Sequence, residues 1–74
     1  MKRVIYIGAK YRKERNESLD YIEEQTGLVK STLWKWEKNL VIPRIDALII
    51  LSTYWGIEWT DLIETIDDEK ELEI

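Results

Sequence analysis

Residues 18–39, SLDYIEEQTGLVKSTLWKWEKN, constrain the fold of this chain more than any other segment. Apolar side chains recur there at the three-residue spacing of a helical face, on both sides of a glycine: Leu19 and Ile22, then Leu33 and Trp36. Ser18 suits the N-cap of the first helix, and Gly27 and Asn39 suit the left-handed conformation in which helices often end. The segment therefore predicts two short helices joined by a tight turn, the arrangement of a helix-turn-helix motif.

Composition narrows the class of function. The chain contains neither cysteine nor histidine, so thiolate metal sites and the commonest general base are both missing. Its acids do not follow the acid-and-glycine pattern of a calcium loop. We therefore expect no metal, no cofactor and no enzymatic activity. The apolar run Val4–Ala9 is too short for a signal peptide or a membrane span, and we expect a cytoplasmic protein.

The net charge of −4 is unevenly distributed along the chain. Six of the bases lie in residues 1–15, and residues 30–44 carry four bases against one acid, whereas eight of the acids lie in residues 58–74. Local charge decides which face can meet a phosphate backbone. The distribution is therefore compatible with weak, salt-sensitive binding to DNA.

Periodicity and turn signals predict five helices and no sheet. Their approximate ranges are 2–16, 19–26, 30–38, 44–55 and 60–66. Val4–Ile7 is the ambiguous segment, because four β-branched or aromatic residues fit a strand as well as a helix. We favour the helix, since the residues that follow offer no hairpin partner. The prediction is an all-α, five-helix bundle over residues 1–66, with an acidic, flexible extension at residues 67–74.

With these helices placed, the chain resembles the Cro/CI family of phage-repressor-like helix-turn-helix domains, also called the XRE family. The residues that match are Arg12, Ser18, Ile22, Gly27, Ser31, Thr32, Leu33, Trp36, Glu37, Pro43, Leu48, Leu51, Gly56, Ile57 and Leu62. The resemblance implies a lambda-repressor-like fold. It also implies a structural ion pair between Arg12 in the first helix and Glu37 at the end of the third.

Four residues depart from the pattern of that family. Glu23 replaces a small residue between the two helices of the motif, and Val29 replaces the usual Ser or Thr cap of the recognition helix. Glu17 replaces an apolar residue, and Gly8 stands where the first helix usually buries a large aliphatic side chain. Loss of the cap at Val29 costs roughly 1 kcal/mol, and this helix start is also where a phosphate or base edge would be approached. These changes therefore bear on DNA affinity more than on the fold.

The resemblance assigns the third helix and the loop after it to DNA. Base-edge and nearby phosphate contacts fall to Lys30, Ser31 and Lys35, and backbone contacts fall to Thr32, Lys38, Asn39 and Arg44. Trp34 points outward, towards DNA or a protein partner. Ile57 and Trp59 are the expected homodimer interface. Ordinary solvated surface is the alternative interpretation of each polar residue.

Two functions follow from these expectations. The first is a sequence-specific transcriptional regulator of the phage or mobile-element type, which represses by occupying an operator in double-stranded DNA. The alternative is a protein-binding module on the same fold, either an antirepressor or an inhibitor of another protein. Its partner would bind through Trp34 or the acidic tail, and DNA binding would be weak or lost.

Overall fold

The computed structural model describes residues 2–67. Within this range the chain forms four α-helices, one 3-10 helix and a two-stranded antiparallel sheet. In chain order the elements are β1 (Lys2–Tyr6), α1 (Ala9–Glu14), α2 (Leu19–Thr26), α3 (Lys30–Glu37), α4 (Ile45–Trp55), the 3-10 helix (Trp59–Leu62) and β2 (Ile63–Asp67). The expected acidic extension lies outside the described residues, apart from Asp67.

The prediction of an all-α, five-helix bundle is wrong, because the two ends of the described chain pair as a sheet. The register runs from Lys2 opposite Asp67 to Tyr6 opposite Ile63. The strand alternative at the N-terminus is therefore the correct one. Of the first expected helix, only Ala9–Glu14 is helical. The hairpin partner that seemed to be missing lies about sixty residues further along the chain.

The prediction of a fifth helix is also wrong, because a short 3-10 helix is followed there by a strand. Residues Trp59–Leu62 form a 3-10 helix, and Ile63 then adopts an extended conformation with φ −130° and ψ 156°. The following residues of β2, IETID, include three β-branched side chains, which favour a pleated strand. The backbone N–H of Ile7 donates to the carbonyl of Leu62 at 2.8 Å and continues the link between the two ends.

Helices α2 and α3 form where the sequence places them. The Ser18 Oγ accepts a hydrogen bond from the Tyr21 N–H at 3.1 Å and caps α2. Gly27 ends that helix with a φ of 79°, a conformation that costs glycine little. Asn39, with a φ of 58°, lies in the left-handed region just after α3, as the sequence predicts. Local signals therefore determine this part of the fold.

The core draws on every regular element except α1 and β2. Its buried apolar residues are Tyr6, Ile22, Leu33, Trp36, Ala47, Leu48, Leu51, Trp55 and Leu62. Leu51 and Leu62 have no exposed surface, and α4 contributes four members of the set. Helix α4 is thus the central element against which the motif packs.

Tyr6 explains why residue 8 is glycine. The Tyr6 ring leaves β1, enters the core and packs edge-on against Trp36 with ring centroids 6.0 Å apart. A Cβ atom at Gly8 would overlap the hydroxyl and ring of Tyr6. Burial raises the pKa of Tyr6 far above its ordinary value, because the ionised phenolate would lose its hydration. The aromatic ring of Tyr6 therefore takes the space that the resemblance gave to an aliphatic residue in the first helix.

Glu17 connects the corner between α1 and α2 to the end of α4. Its carboxylate accepts hydrogen bonds from the Tyr54 hydroxyl and, at 2.9 Å, from the Trp55 Nε1. The hydrogen bond to Glu17 raises the pKa of Tyr54, since it stabilises the protonated phenol. The Arg15 Nη2 donates to the Trp55 carbonyl at 2.9 Å from the same corner. Glu17 therefore connects this corner to α4 through hydrogen bonds, at a position where the resemblance implies an apolar contact.

Candidate nucleic-acid interface

An ion pair between Arg12 and Glu37 sets the orientation of α3. The Arg12 Nε and Nη2 donate to the two Glu37 carboxylate oxygens at 2.6 and 2.8 Å, and its Nη1 donates to the Glu17 carbonyl at 2.9 Å. Only 16% of the Arg12 side chain and 12% of the Glu37 side chain are exposed. The hydrogen bonds that Arg12 donates to Glu37 raise the pKa of Arg12. Arg12 therefore stays charged, and its hydrogen bonds to Glu37 fix the last turn of α3 against α1.

The outward side of α3 is basic and hydroxylated. Leu33 and Trp36 point into the core, and five other residues of the helix are exposed: Lys30, Ser31, Thr32, Trp34 and Lys35. Glu37 is the one acid of the helix, and Arg12 holds it on the inner side. Lys35 has no salt-bridge partner among residues 2–67. The exposed surface of α3 consequently carries positive charge and hydrogen-bond donors with no competing acid of its own.

Two departures from the family pattern compensate for each other at the start of α3. Val29 occupies the cap position and offers no side-chain hydrogen bond. The Glu23 carboxylate reaches across the turn and accepts from the Lys30 N–H at 3.2 Å. Glu23 therefore caps α3 from α2, and a negative charge faces the positive end of the α3 dipole.

A second acid of α2 pairs with the first residue of α3. The Lys30 Nζ lies 3.1 Å from the Asp20 Oδ2, and both side chains are more than half exposed. A pair this exposed contributes little stability and is easily exchanged for another anion. Lys30 is thus accessible, although it is partly neutralised by its neighbour.

The loop after α3 has a more structural role than the sequence suggested. The Asn39 Oδ1 accepts a hydrogen bond from the Tyr6 N–H at 3.1 Å and so ties the loop to β1. The Lys38 Nζ lies 5.9 Å from the centre of the Trp34 ring, which is a cation–π contact at the surface. Arg44 is exposed and lies 3.9 Å from Asp46. Lys38 and Arg44 remain accessible to a phosphate, whereas the Asn39 side-chain oxygen is occupied.

The two residues expected at a dimer interface have different environments. Ile57 is half-buried and packs against the core. Trp59 is exposed at the start of the 3-10 helix, with 38% of its surface accessible. The predicted interface therefore retains one accessible apolar side chain.

Sequence reasoning missed two sets of residues that shape this surface. The roles of Asp20 and Glu23 depend on the angle between α2 and α3, which no local pattern reports. Three isoleucines of α4, Ile45, Ile49 and Ile50, are exposed although the helix already has a buried side. The signal for them was present in the run IDALIIL, because it is apolar around the whole helix rather than on one face.

Several other kinds of site find no support in residues 2–67. No group of three or more carboxylates in this range is placed to hold a metal ion. None of the helices described is both long and apolar enough to cross a membrane. A surface depression of about 410 Å³ at the corner between α1 and α2 is lined by Arg15, Asn16, Glu17, Ser18 and Tyr21. Glu17 is already engaged there by Tyr54 and Trp55. Comparison with protein-family models, curated proteins and solved structures found no match to this chain.

Proposed function

We propose that this protein is a DNA-binding transcriptional regulator that inserts α3 into the major groove and represses by occupying its site. The observation that carries the proposal is the exposed surface of α3, where Lys30 and Lys35 flank two hydroxyl side chains while the acid of the helix is turned inward. Lysine and serine both donate to base edges in the major groove. Such a protein would work in the cytoplasm, on the double-stranded DNA of a phage or mobile element, and without a cofactor.

The rest of the motif supports this use of α3. Lys38 and Arg44 are exposed after the helix, where they can contact phosphates and fix its position without reading sequence. The ion pair between Arg12 and Glu37 holds the helix from behind, so the exposed side is rigid before DNA is met. Rigid presentation lowers the entropy that binding must offset.

The direct test is a salt series of binding to random duplex DNA, followed by selection of bound sequences from a random pool. Affinity that falls steeply with salt is the expected result, because bound phosphates release counterions. At about 50 mM salt, phosphate contacts still bind strongly. No measurable affinity for DNA at that salt concentration would contradict the proposal.

Lys35→Ala is expected to weaken binding to the selected sequence about tenfold and to relax base preference at one position. Lys35 is chosen because it lies on the exposed side of α3 and has no salt-bridge partner among residues 2–67. The matched control is Lys13→Ala, which removes the same charge from the exposed side of α1. Fluorescence anisotropy with both variants makes the comparison. Equal losses in the two variants would show that α3 does not read the bases.

Glu23→Gln is expected to raise DNA affinity about threefold at low salt, because it removes a negative charge from the end of α3 that approaches DNA. The amide oxygen of glutamine can still accept from the Lys30 N–H, so the cap is kept. Glu24→Gln is the control, since Glu24 is an exposed neighbour on the same helix. An increase of the same size in both variants would assign the effect to net charge alone.

A protein-binding module is the second candidate, and the exposure of Trp34 favours it. This side chain is 46% exposed in the middle of the α3 surface. Exposed tryptophans are enriched at protein interfaces. Under this alternative Asp20 and Glu23 would face a basic partner, and neither Glu23→Gln nor Lys35→Ala would alter DNA binding, because there would be none.

A further inference from the structure

A second surface of the molecule is apolar and has no partner within residues 2–67. It consists of the loop before α4 and the outer side of α4, and we call it the α4 surface. Its residues and exposed fractions are Leu40 65%, Val41 49%, Ile42 45%, Ile45 51%, Ile49 48% and Ile50 41%. No residue of the α3 surface belongs to it.

These side chains are not needed by the core of a single molecule. Ala47, Leu48, Leu51 and Trp55 already provide α4 with a buried inner side. A helix that is apolar all round is typical of one that is covered on both sides. The exposed isoleucines therefore predict that the outer side is covered as well, since large apolar side chains exposed in such number on neighbouring positions are typical of an interaction site.

The charges on the α4 surface indicate what covers it. Arg44 and Asp46 are the charged residues within it, they have opposite signs, and their side chains are 89% and 73% exposed. They flank Ile45, which lies between the loop and the outer side of α4. Within one molecule the Arg44 Nε lies 3.9 Å from the Asp46 Oδ1, and a two-fold axis near Ile45 would let each guanidinium exchange this exposed partner for Asp46 of the other molecule, so the surface is complementary to itself.

The area is also that of a small symmetric interface. The exposed parts of the six apolar residues amount to roughly 500 Å² in each molecule, which gives about 1,000 Å² in a pair, the lower bound for a specific interface. Residues 68–74, DEKELEI, fit the surface poorly, because four of the seven are acids. A second copy of the chain satisfies both the area and the charges.

We propose that the chain forms a weak homodimer in which the α4 surfaces of two molecules pack together about a two-fold axis near Ile45. This dimer differs from the one that the resemblance implies through Ile57 and Trp59, since the α4 surface contains neither residue. Arg44 would bind either Asp46 of the second molecule or a phosphate, so the dimer and the DNA complex compete for this side chain, and the test of the dimer contains no DNA.

Sedimentation equilibrium of the full chain over a range of micromolar to millimolar concentrations measures the dimer directly. Ile49→Asp is expected to raise the dissociation constant at least about 100-fold, because each molecule would bury a carboxylate against an apolar partner. Trp59→Ser is the control for the alternative interface and is expected to leave the constant unchanged. A monomer at every concentration, or a dimer lost on Trp59→Ser and kept in Ile49→Asp, would overturn the proposal.

Charge reversal tests the position of the axis. Arg44→Asp alone is expected to weaken the dimer at least about threefold, since it would set two acids against each other across the axis. The double variant Arg44→Asp/Asp46→Arg restores opposite charges and is expected to recover the wild-type constant. A double variant as weak as the single one would contradict the predicted pairing. Both variants change exposed residues, and far-ultraviolet circular dichroism confirms that the fold is kept.

Discussion

Replacement of Arg12 by alanine is expected to lower the free energy of unfolding by about 3 to 5 kcal/mol, because it leaves the Glu37 carboxylate buried without its partner. Arg12 makes three hydrogen bonds, two to Glu37 and one to the Glu17 carbonyl, and both charged groups are largely removed from water. A chain of this length has a total stability of roughly 4 to 11 kcal/mol. The variant should therefore lose a large share of its stability and unfold at a lower urea concentration than the wild-type chain.

Urea titrations followed by tryptophan fluorescence provide the measurement. Lys13→Ala removes an exposed cation one residue away and is expected to change stability by less than about 0.5 kcal/mol. The double variant Arg12→Met/Glu37→Met removes both charges and should be more stable than Arg12→Ala, since no unpaired charge remains. If Arg12→Ala were as stable as Lys13→Ala, the ion pair would not hold α3 in place.

Gly8→Leu is expected to lower the free energy of unfolding by about 3 kcal/mol, because the new side chain competes with Tyr6 for one space in the core. Backbone strain is not the cause. Gly8 has a φ of −65° and a ψ of −18°, which every residue adopts readily. The cost arises from overlap with the buried Tyr6 ring, which Trp36 holds on its other side.

A double-mutant cycle separates this overlap from other effects. Tyr6→Ala alone empties the space and should cost about 3 to 5 kcal/mol. In Tyr6→Ala/Gly8→Leu the leucine fills part of that space, so the combined loss should fall short of the sum by at least about 1.5 kcal/mol. Lys13→Leu controls for adding a leucine to α1. Additive losses in the cycle would show that residues 6 and 8 do not share the space.

The central helices were predictable because their signals are local. The bounds of α2 follow from the Ser18 cap and the turn at Gly27, and both features lie within ten residues of each other. The left-handed Asn39 after α3 was predicted in the same way.

The sheet could not be predicted from local patterns. Val4 faces Thr65 and Ile5 faces Glu64 in the register, a separation of about sixty residues that leaves no trace in the periodicity of either segment. The same limit applies to the site. The exposed residues of α3 follow from helix geometry, whereas the hydrogen bond from Lys30 to Glu23 depends on how two helices cross. Glu23 and Val29 were each recognised as unusual, but their connection required the structure.

The pairing of β1 with β2 has a consequence for synthesis of the chain. Strand β1 is made first, and its hydrogen-bonding partner, Ile63–Asp67, is made about sixty residues later. Until then the ribosome-bound chain carries an unpaired strand with a Val-Ile-Tyr run, and unpaired strands are the segments through which nascent chains associate. Helices α2 and α3 can form in that interval, because the Ser18 cap and the Glu23 hydrogen bond to the start of α3 lie within the motif itself. Pairing of the sheet therefore becomes possible only after the helices have been made, and a chain stalled before residue 63 exposes β1 without its partner strand.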